Sequence, residues 1–261
     1  MHFIRAGKGA PALVFVHGFA CTHEDWKAQL DFFQRTNEAV ACDLRGHGQT
    51  PGRPHECSIE HYGGDVAALV SNLELKSVVL IGHSMGCRVV LEAARLLPER
   101  TAGIVLVDGS RNAPGGKSGD PDGAEAAARA TVEKMGYAAF AETLFRQMFF
   151  TPSALAEAVV ARGLRQTAEI GPVLWSRMAR WDAEVEKALD AVRVPVLAIQ
   201  STTRDPQTLL RAPLKRGDTS PWLDLLKNKI SDLKIEIVSG VGHFPQLEAA
   251  NTVNRLIRDF L

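Results

Sequence analysis

Six short apolar runs constrain what this chain can fold into more than any other feature: residues 12–17, 39–43, 78–81, 103–107, 194–199 and 235–238. Each is rich in aliphatic side chains and bounded by Gly, Pro, Asp or Ser. Their apolarity is continuous rather than alternating, as in strands of a parallel sheet covered on both faces. Helical patterns fall between them. After Ser58, a good N-cap type, Ile59, Tyr62, Val66, Leu69, Val70 and Leu73 recur at three- and four-residue steps. Residues 86–97 carry Val89, Val90, Ala93 and Leu97 and are closed by Pro98, while 250–261 put Val253, Leu256, Ile257 and Phe260 on one face. This alternation predicts an α/β fold with a doubly wound, mostly parallel sheet flanked by helices.

One stretch breaks the rhythm. Residues 111–189 hold no convincing strand, but open on a Gly/Pro/Asp-rich loop and continue with helical patterns near 124–135, 138–149, 153–166 and 173–181. The expected organisation is a core of residues 1–110 and 190–261 with an all-helical cap, 111–189, over the carboxyl ends of the strands. Open α/β sheets bind ligands at that edge.

Lys+Arg and Asp+Glu both number 30, so the formal charge is zero, which favours neither nucleic acid nor an anionic membrane as partner. The first residues do not read as a signal peptide, and the apolar runs are strand-sized, far short of the ~20 residues of a membrane helix. A cytoplasmic chain acting on a small molecule, as monomer or homodimer, is the expectation. Cys21, Cys42, Cys57 and Cys87 lack C-x-x-C spacing and read as reduced thiols rather than metal ligands. No metal site is expected.

The chemistry begins at Gly82-His83-Ser84-Met85-Gly86, which follows the run 78–81 and opens the 86–97 helix. A serine at a sharp strand-to-helix turn is lifted above the sheet edge, and the helix's first N–H groups face any oxyanion that develops there. A hydroxyl needs a base. His243, in the Gly-rich loop Ser239-Gly240-Val241-Gly242-His243 after the last predicted strand, suits that task best of the eight histidines. The base in turn needs a carboxylate. Asp205, following the run 194–199, gives the chain order Ser, Asp, His and is preferred; Asp108, at the end of 103–107, is the runner-up and Asp218 a distant third. The N–H groups of Phe19, after His17-Gly18, and of Met85 are the expected oxyanion donors, with His17 bracing its loop. Asp43-Leu44-Arg45-Gly46-His47-Gly48 reads as a structural turn, since no phosphate-binding motif accompanies its glycines.

Together, His17-Gly18-Phe19, Asp43 to Gly48, Gly82 to Gly86 and Gly242-His243-Phe244 resemble the α/β-hydrolase superfamily in its capped, carboxylesterase-like branch. The resemblance implies about eight strands, a lid inserted after the sixth, and no cofactor. Two features depart from it. Asp205 falls one residue late, with Arg204 in the usual place of the acid, and the short amino terminus leaves little room for outer strands. Haloalkane dehalogenases and epoxide hydrolases, which are similar, place aspartate where Ser84 stands. The expected activity is hydrolysis of esters with small hydrophobic acyl or aryl groups through an acyl-enzyme. A lactonase or carbon–carbon hydrolase with the same residues is the alternative, and a non-catalytic ligand-binding module a remote one.

Overall fold

The computed structural model describes residues 1–111, 119–205, 208 and 210–261. Seven strands form the main sheet: β1 (Phe3–Ala6), β2 (Ala12–Val16), β3 (Ala39–Cys42), β4 (Val78–His83), β5 (Thr101–Val107), β6 (Val196–Gln200) and β9 (Leu233–Ile237). Two more, β7 (Thr202–Arg204) and β8 (Arg211–Pro213), pair with each other in a separate two-stranded ribbon. The sheet order is β1-β3-β2-β4-β5-β6-β9, and every pairing is parallel except β1 with β3. Among the described residues the main sheet has seven strands, close to the eight or so expected. The antiparallel edge strand β1 is four residues long.

Continuous apolarity has the anticipated cause. Along β2, Val14 and Val16 enter one core cluster, while Leu13 and Phe15 enter another on the opposite face. Burying each such side chain contributes about 1.5–3 kcal/mol. One face is covered by α1 (Lys27–Phe33) and α11 (Ala250–Arg258), the other by α2 (Ile59–Asn72) and α3 (Met85–Leu96) among others. Ser58 caps α2 by accepting from the His61 N–H, as its sequence position suggests.

Between β5 and β6 come α4 (Pro121–Met135), α5 (Tyr137–Arg146), α6 (Ala154–Gly163), α7 (Gly171–Asp182) and α8 (Val185–Leu189), with no strand among the described residues there. The Gly/Pro-rich loop expected at 113–123 lies largely outside the described residues. After β8 follow α9 (Pro221–Lys229) and, beyond β9, the short α10 (Pro245–Glu248). No helix among the described residues is long and apolar enough to cross a membrane. The four cysteines are free and buried, and burial pushes the Cys42 and Cys87 thiols up to about 12, which keeps them protonated and unreactive.

Candidate active site

Because β2, β4, β5, β6 and β9 are parallel, the residues that follow them meet at one edge of the sheet. Ser84 takes the sharp turn between β4 and α3 with φ 54 and ψ −113. A non-glycine residue held there costs about 1–3 kcal/mol, which the surrounding packing must offset. The flanking glycines are sterically required. A Cβ on Gly82 would lie 2.2 Å from the Gly86 carbonyl oxygen, and one on Gly86 would lie 2.3 Å from that of Val16. The Ser84 N–H donates to the Val107 carbonyl at 2.9 Å, tying the turn to the end of β5.

His243 stands between Ser84 and Asp108. Its Nε2 is 2.8 Å from Ser84 Oγ and its Nδ1 2.6 Å from Asp108 Oδ2. Its backbone is fixed by three partners. The His243 N–H donates to the Met148 carbonyl at 2.7 Å, His83 Nε2 donates to the His243 carbonyl at 2.8 Å, and Ser201 Oγ donates to the Gly242 carbonyl at 2.7 Å. Arg211 Nη2 lies 3.3 Å from His243 Nε2. A guanidinium only donates, so Nε2 accepts and the ring proton sits on Nδ1, shared with Asp108. Burial pushes His243 well below its ordinary 6.5, and the Arg211, Arg204 and Arg88 guanidiniums push it the same way. Burial raises the Asp108 carboxyl, against Arg211 and its hydrogen bonds, which lower it. The imidazole is therefore neutral near pH 7.

Asp205, the preferred acid, is not beside the imidazole. Both ring nitrogens of His243 are engaged, while exposed Asp205 accepts from Thr208 N–H at 2.6 Å and Thr208 Oγ1 at 2.9 Å. The loop after β6 serves differently. It turns back into β7 and gives Asp108 its donors: Ser201 N–H and Thr202 N–H to Oδ1, both at 2.8 Å, and Thr202 Oγ1 to Oδ2 at 2.6 Å. Asp218 is exposed too and accepts from the Lys215 N–H.

Gly18 brings the loop after β2 against the elbow: a Cβ there would lie 3.2 Å from Ser84 Cβ. Among the described residues, the N–H groups of Phe19 and Met85 have no hydrogen-bond acceptor. Such donors at a serine hydroxyl are what a developing oxyanion requires. His17 braces this loop, donating from Nδ1 to the Gly18 carbonyl (2.8 Å) and accepting the Leu44 N–H at Nε2 (3.0 Å). Asp43 holds the turn that sequence reading gave it, accepting from the His23 and Gln49 N–H groups. His2, His23 and Asp43 bring ligand-type atoms within 4.8 Å of one another, and the Asp43 oxygens there are already committed to those donors.

The space over Ser84 is only about 10 Å³, at the lower limit for a single water. Phe19, Leu144, Phe145, Trp175 and Met178 supply its apolar wall, and Arg204 and Arg211 a cationic one. Arg88, one turn into α3, joins the elbow to α7 through a buried two-point ion pair with Asp182 at 2.6 and 2.7 Å. A larger polar cleft of about 410 Å³ lies beside it, lined by His47, Gln49 and Arg162 among others, but Ser84 and His243 do not reach it. His83, Ser201, Thr202 and Arg211 had no local sequence signal, since each acts through a tertiary partner.

Comparison with known proteins places the chain in a family. The chain belongs to the alpha/beta hydrolase family, whose model matches residues 13–256. It is 40% identical to a non-heme haloperoxidase of Rhodococcus erythropolis over 100 residues, 38% of this chain and 35% of that protein, so the match spans about a third of the relative's length. Its fold is shared by a thermophilic esterase from Thermogutta terrifontis, with a TM-score of 0.78, 24% identity, and 99% and 92% of the two chains covered. The enol-lactonase from Burkholderia xenovorans gives 0.76 at 19% identity, covering 99% of this chain and 95% of the other.

Proposed function

We propose that this protein is a serine hydrolase that cleaves small carboxylic esters by acyl transfer. The hydrogen-bonded series Ser84 Oγ, His243 Nε2, His243 Nδ1 and Asp108 Oδ2, at 2.8 and 2.6 Å, carries this reading. Neutral His243 takes the Ser84 proton as Oγ attacks the carbonyl carbon. The resulting imidazolium is stabilised by Asp108 and then protonates the leaving alcohol. The oxyanion lies against the Phe19 and Met85 N–H groups. Water attacks the acyl-enzyme with His243 again as base, and Ser84 is released with the acid product. Since the cavity holds about one water, α4–α8 serve as a cap that shifts to admit substrate.

The test is covalent labelling with a fluorophosphonate probe, mapped by peptide mass, beside turnover of 4-nitrophenyl acetate and butyrate. A single adduct on Ser84 with turnover is expected. Folded protein that takes up no label and hydrolyses neither ester would defeat the proposal and favour a ligand-binding module.

The pH dependence has a defined sign. The base must be unprotonated, and burial among guanidiniums holds His243 well below 6.5. Hence kcat/KM stays flat as pH falls through 6.5 and declines only at lower pH. A midpoint at or above 6.5 would contradict this.

A further inference from the structure

The loop that carries His243 presents three consecutive backbone N–H groups, and each has its own acceptor. Gly242 donates to Glu248 Oε2 at 3.0 Å and Phe244 to Glu248 Oε1 at 3.2 Å, so one carboxylate of the core holds both flanks. The middle N–H, that of His243, goes instead to the Met148 carbonyl at 2.7 Å. Met148 belongs to the cap, in the segment just after α5. Its two neighbours touch the same apparatus. Gln147 Oε1 accepts the Arg211 N–H at 3.1 Å, and the Phe149 ring stacks on Phe244, with centroids 5.2 Å apart and planes 3° from parallel. Phe244 lies in turn against the His243 ring, at 5.4 Å, and the His83 ring, at 4.8 Å. The fit is close: a Cβ on Gly242 would lie 2.2 Å from the Met148 carbonyl oxygen and 3.1 Å from Glu248 Oε1.

We propose that the cap segment Gln147–Phe149 positions the general base, so that closing the cap places His243 as well as covering Ser84. This rests on the serine-hydrolase reading. Without the Met148 carbonyl, the His243 N–H loses its acceptor inside the protein, and the loop relieves that cost by moving. Little movement is tolerable. His243 must keep Nε2 at 2.8 Å from Ser84 Oγ and Nδ1 at 2.6 Å from Asp108 Oδ2. A shift of about 1 Å in a reacting group costs on the order of 100-fold in rate. The cavity over Ser84 holds only about 10 Å³, and the Met148 side chain is part of its wall. A cap displacement that moves this wall to admit substrate also withdraws the carbonyl from His243. Opening the site and releasing the base are then one motion, and the base is in place only when the site is closed.

The experiment joins steady-state hydrolysis of 4-nitrophenyl acetate to proton NMR of the full chain, following the low-field Nδ1–H resonance of His243 bonded to Asp108. Gly242→Ala, which wedges the loop from the cap, is expected to lower kcat about 100-fold with KM changed less than about threefold. Phe149→Ala, which alters the cap side alone, should lower kcat about tenfold, and Phe149→Tyr should restore it. In Gly242→Ala and Phe149→Ala the low-field resonance should shift or broaden. Phe150→Ala, at an exposed neighbouring cap residue, should leave both kcat and the resonance unchanged. Wild-type kcat in Phe149→Ala, with at most a change in KM, would mean that the segment only covers the site. A fall in kcat with the resonance unmoved would mean that the loss does not pass through His243, and either result overturns the proposal. If Gly242→Ala does not fold, the Phe149 pair decides. If wild-type Ser84 takes no fluorophosphonate label and the ester is not turned over, the serine-hydrolase reading fails. The resonance then still tests the clamp, because it must change in Phe149→Ala and an unchanged signal refutes it.

Discussion

Asp108→Asn is expected to lower kcat by about 10⁴-fold, and Asp205→Asn to change it by less than about twofold. The first effect follows from how the Asp108 carboxylate is held. Its Oδ1 accepts two backbone N–H groups, from Ser201 and Thr202. An asparagine must therefore keep its carbonyl oxygen at that position, which puts its amide nitrogen where Oδ2 now stands. Oδ2 is 2.6 Å from His243 Nδ1. The amide would donate to Nδ1 and drive the ring proton onto Nε2, so that the nitrogen facing Ser84 could no longer accept. Backbone and fold would change little, because Thr202 Oγ1, which donates to Oδ2 in the native protein, can accept from an amide instead. Steady-state kinetics of the two variants side by side decide between the carboxylates. A large loss in Asp205→Asn with Asp108→Asn near wild type would reverse the assignment.

The carboxylate beside His243 is Asp108 and not the preferred Asp205, which shows what a sequence can and cannot carry here. The elbow is local: Gly82, Ser84 and Gly86 fall within five consecutive residues, and the turn they make follows from their own steric needs. The strands were legible because both faces of the sheet are covered, leaving continuous runs such as Leu13 to Val16 with no polar position. His243 was legible from its glycine-rich loop after the last strand. The acid was not local in this sense. Asp108 and Asp205 both follow strands that end at the same edge, and order along the chain does not separate them. What separates them is that the chain after Gln200 re-enters a strand at once, directing the Ser201 and Thr202 donors at Asp108 and carrying Asp205 outward to solvent. The β7–β8 ribbon was hidden for the same reason, since a three-residue strand leaves almost no periodic signal. The helices α1 and α9, of seven and nine residues, are likewise too short for an apolar face to stand out.

Ser84→Ala and His243→Ala are each expected to lower kcat by about 10⁶-fold, and the double variant to lose no more than either alone. The reason lies in the single proton path. Ser84 Oγ has His243 Nε2 as its base at 2.8 Å, so a serine without the imidazole keeps its proton, and an imidazole without the serine has nothing to activate but water. Each substitution thus removes the same step, and a second one removes nothing further. What survives belongs to the Phe19 and Met85 N–H groups and to substrate positioning, roughly 10³-fold over the uncatalysed reaction. His243→Ala also leaves a cavity beside His83, whose Nε2 bonds the His243 carbonyl, so the backbone anchor is retained. Single-turnover assays on the two single variants and the double variant measure the cycle. Losses that add across the pair would mean that serine and histidine act independently. His243→Ala protein retaining more than about a hundredth of the wild-type rate would mean that another group takes the Ser84 proton.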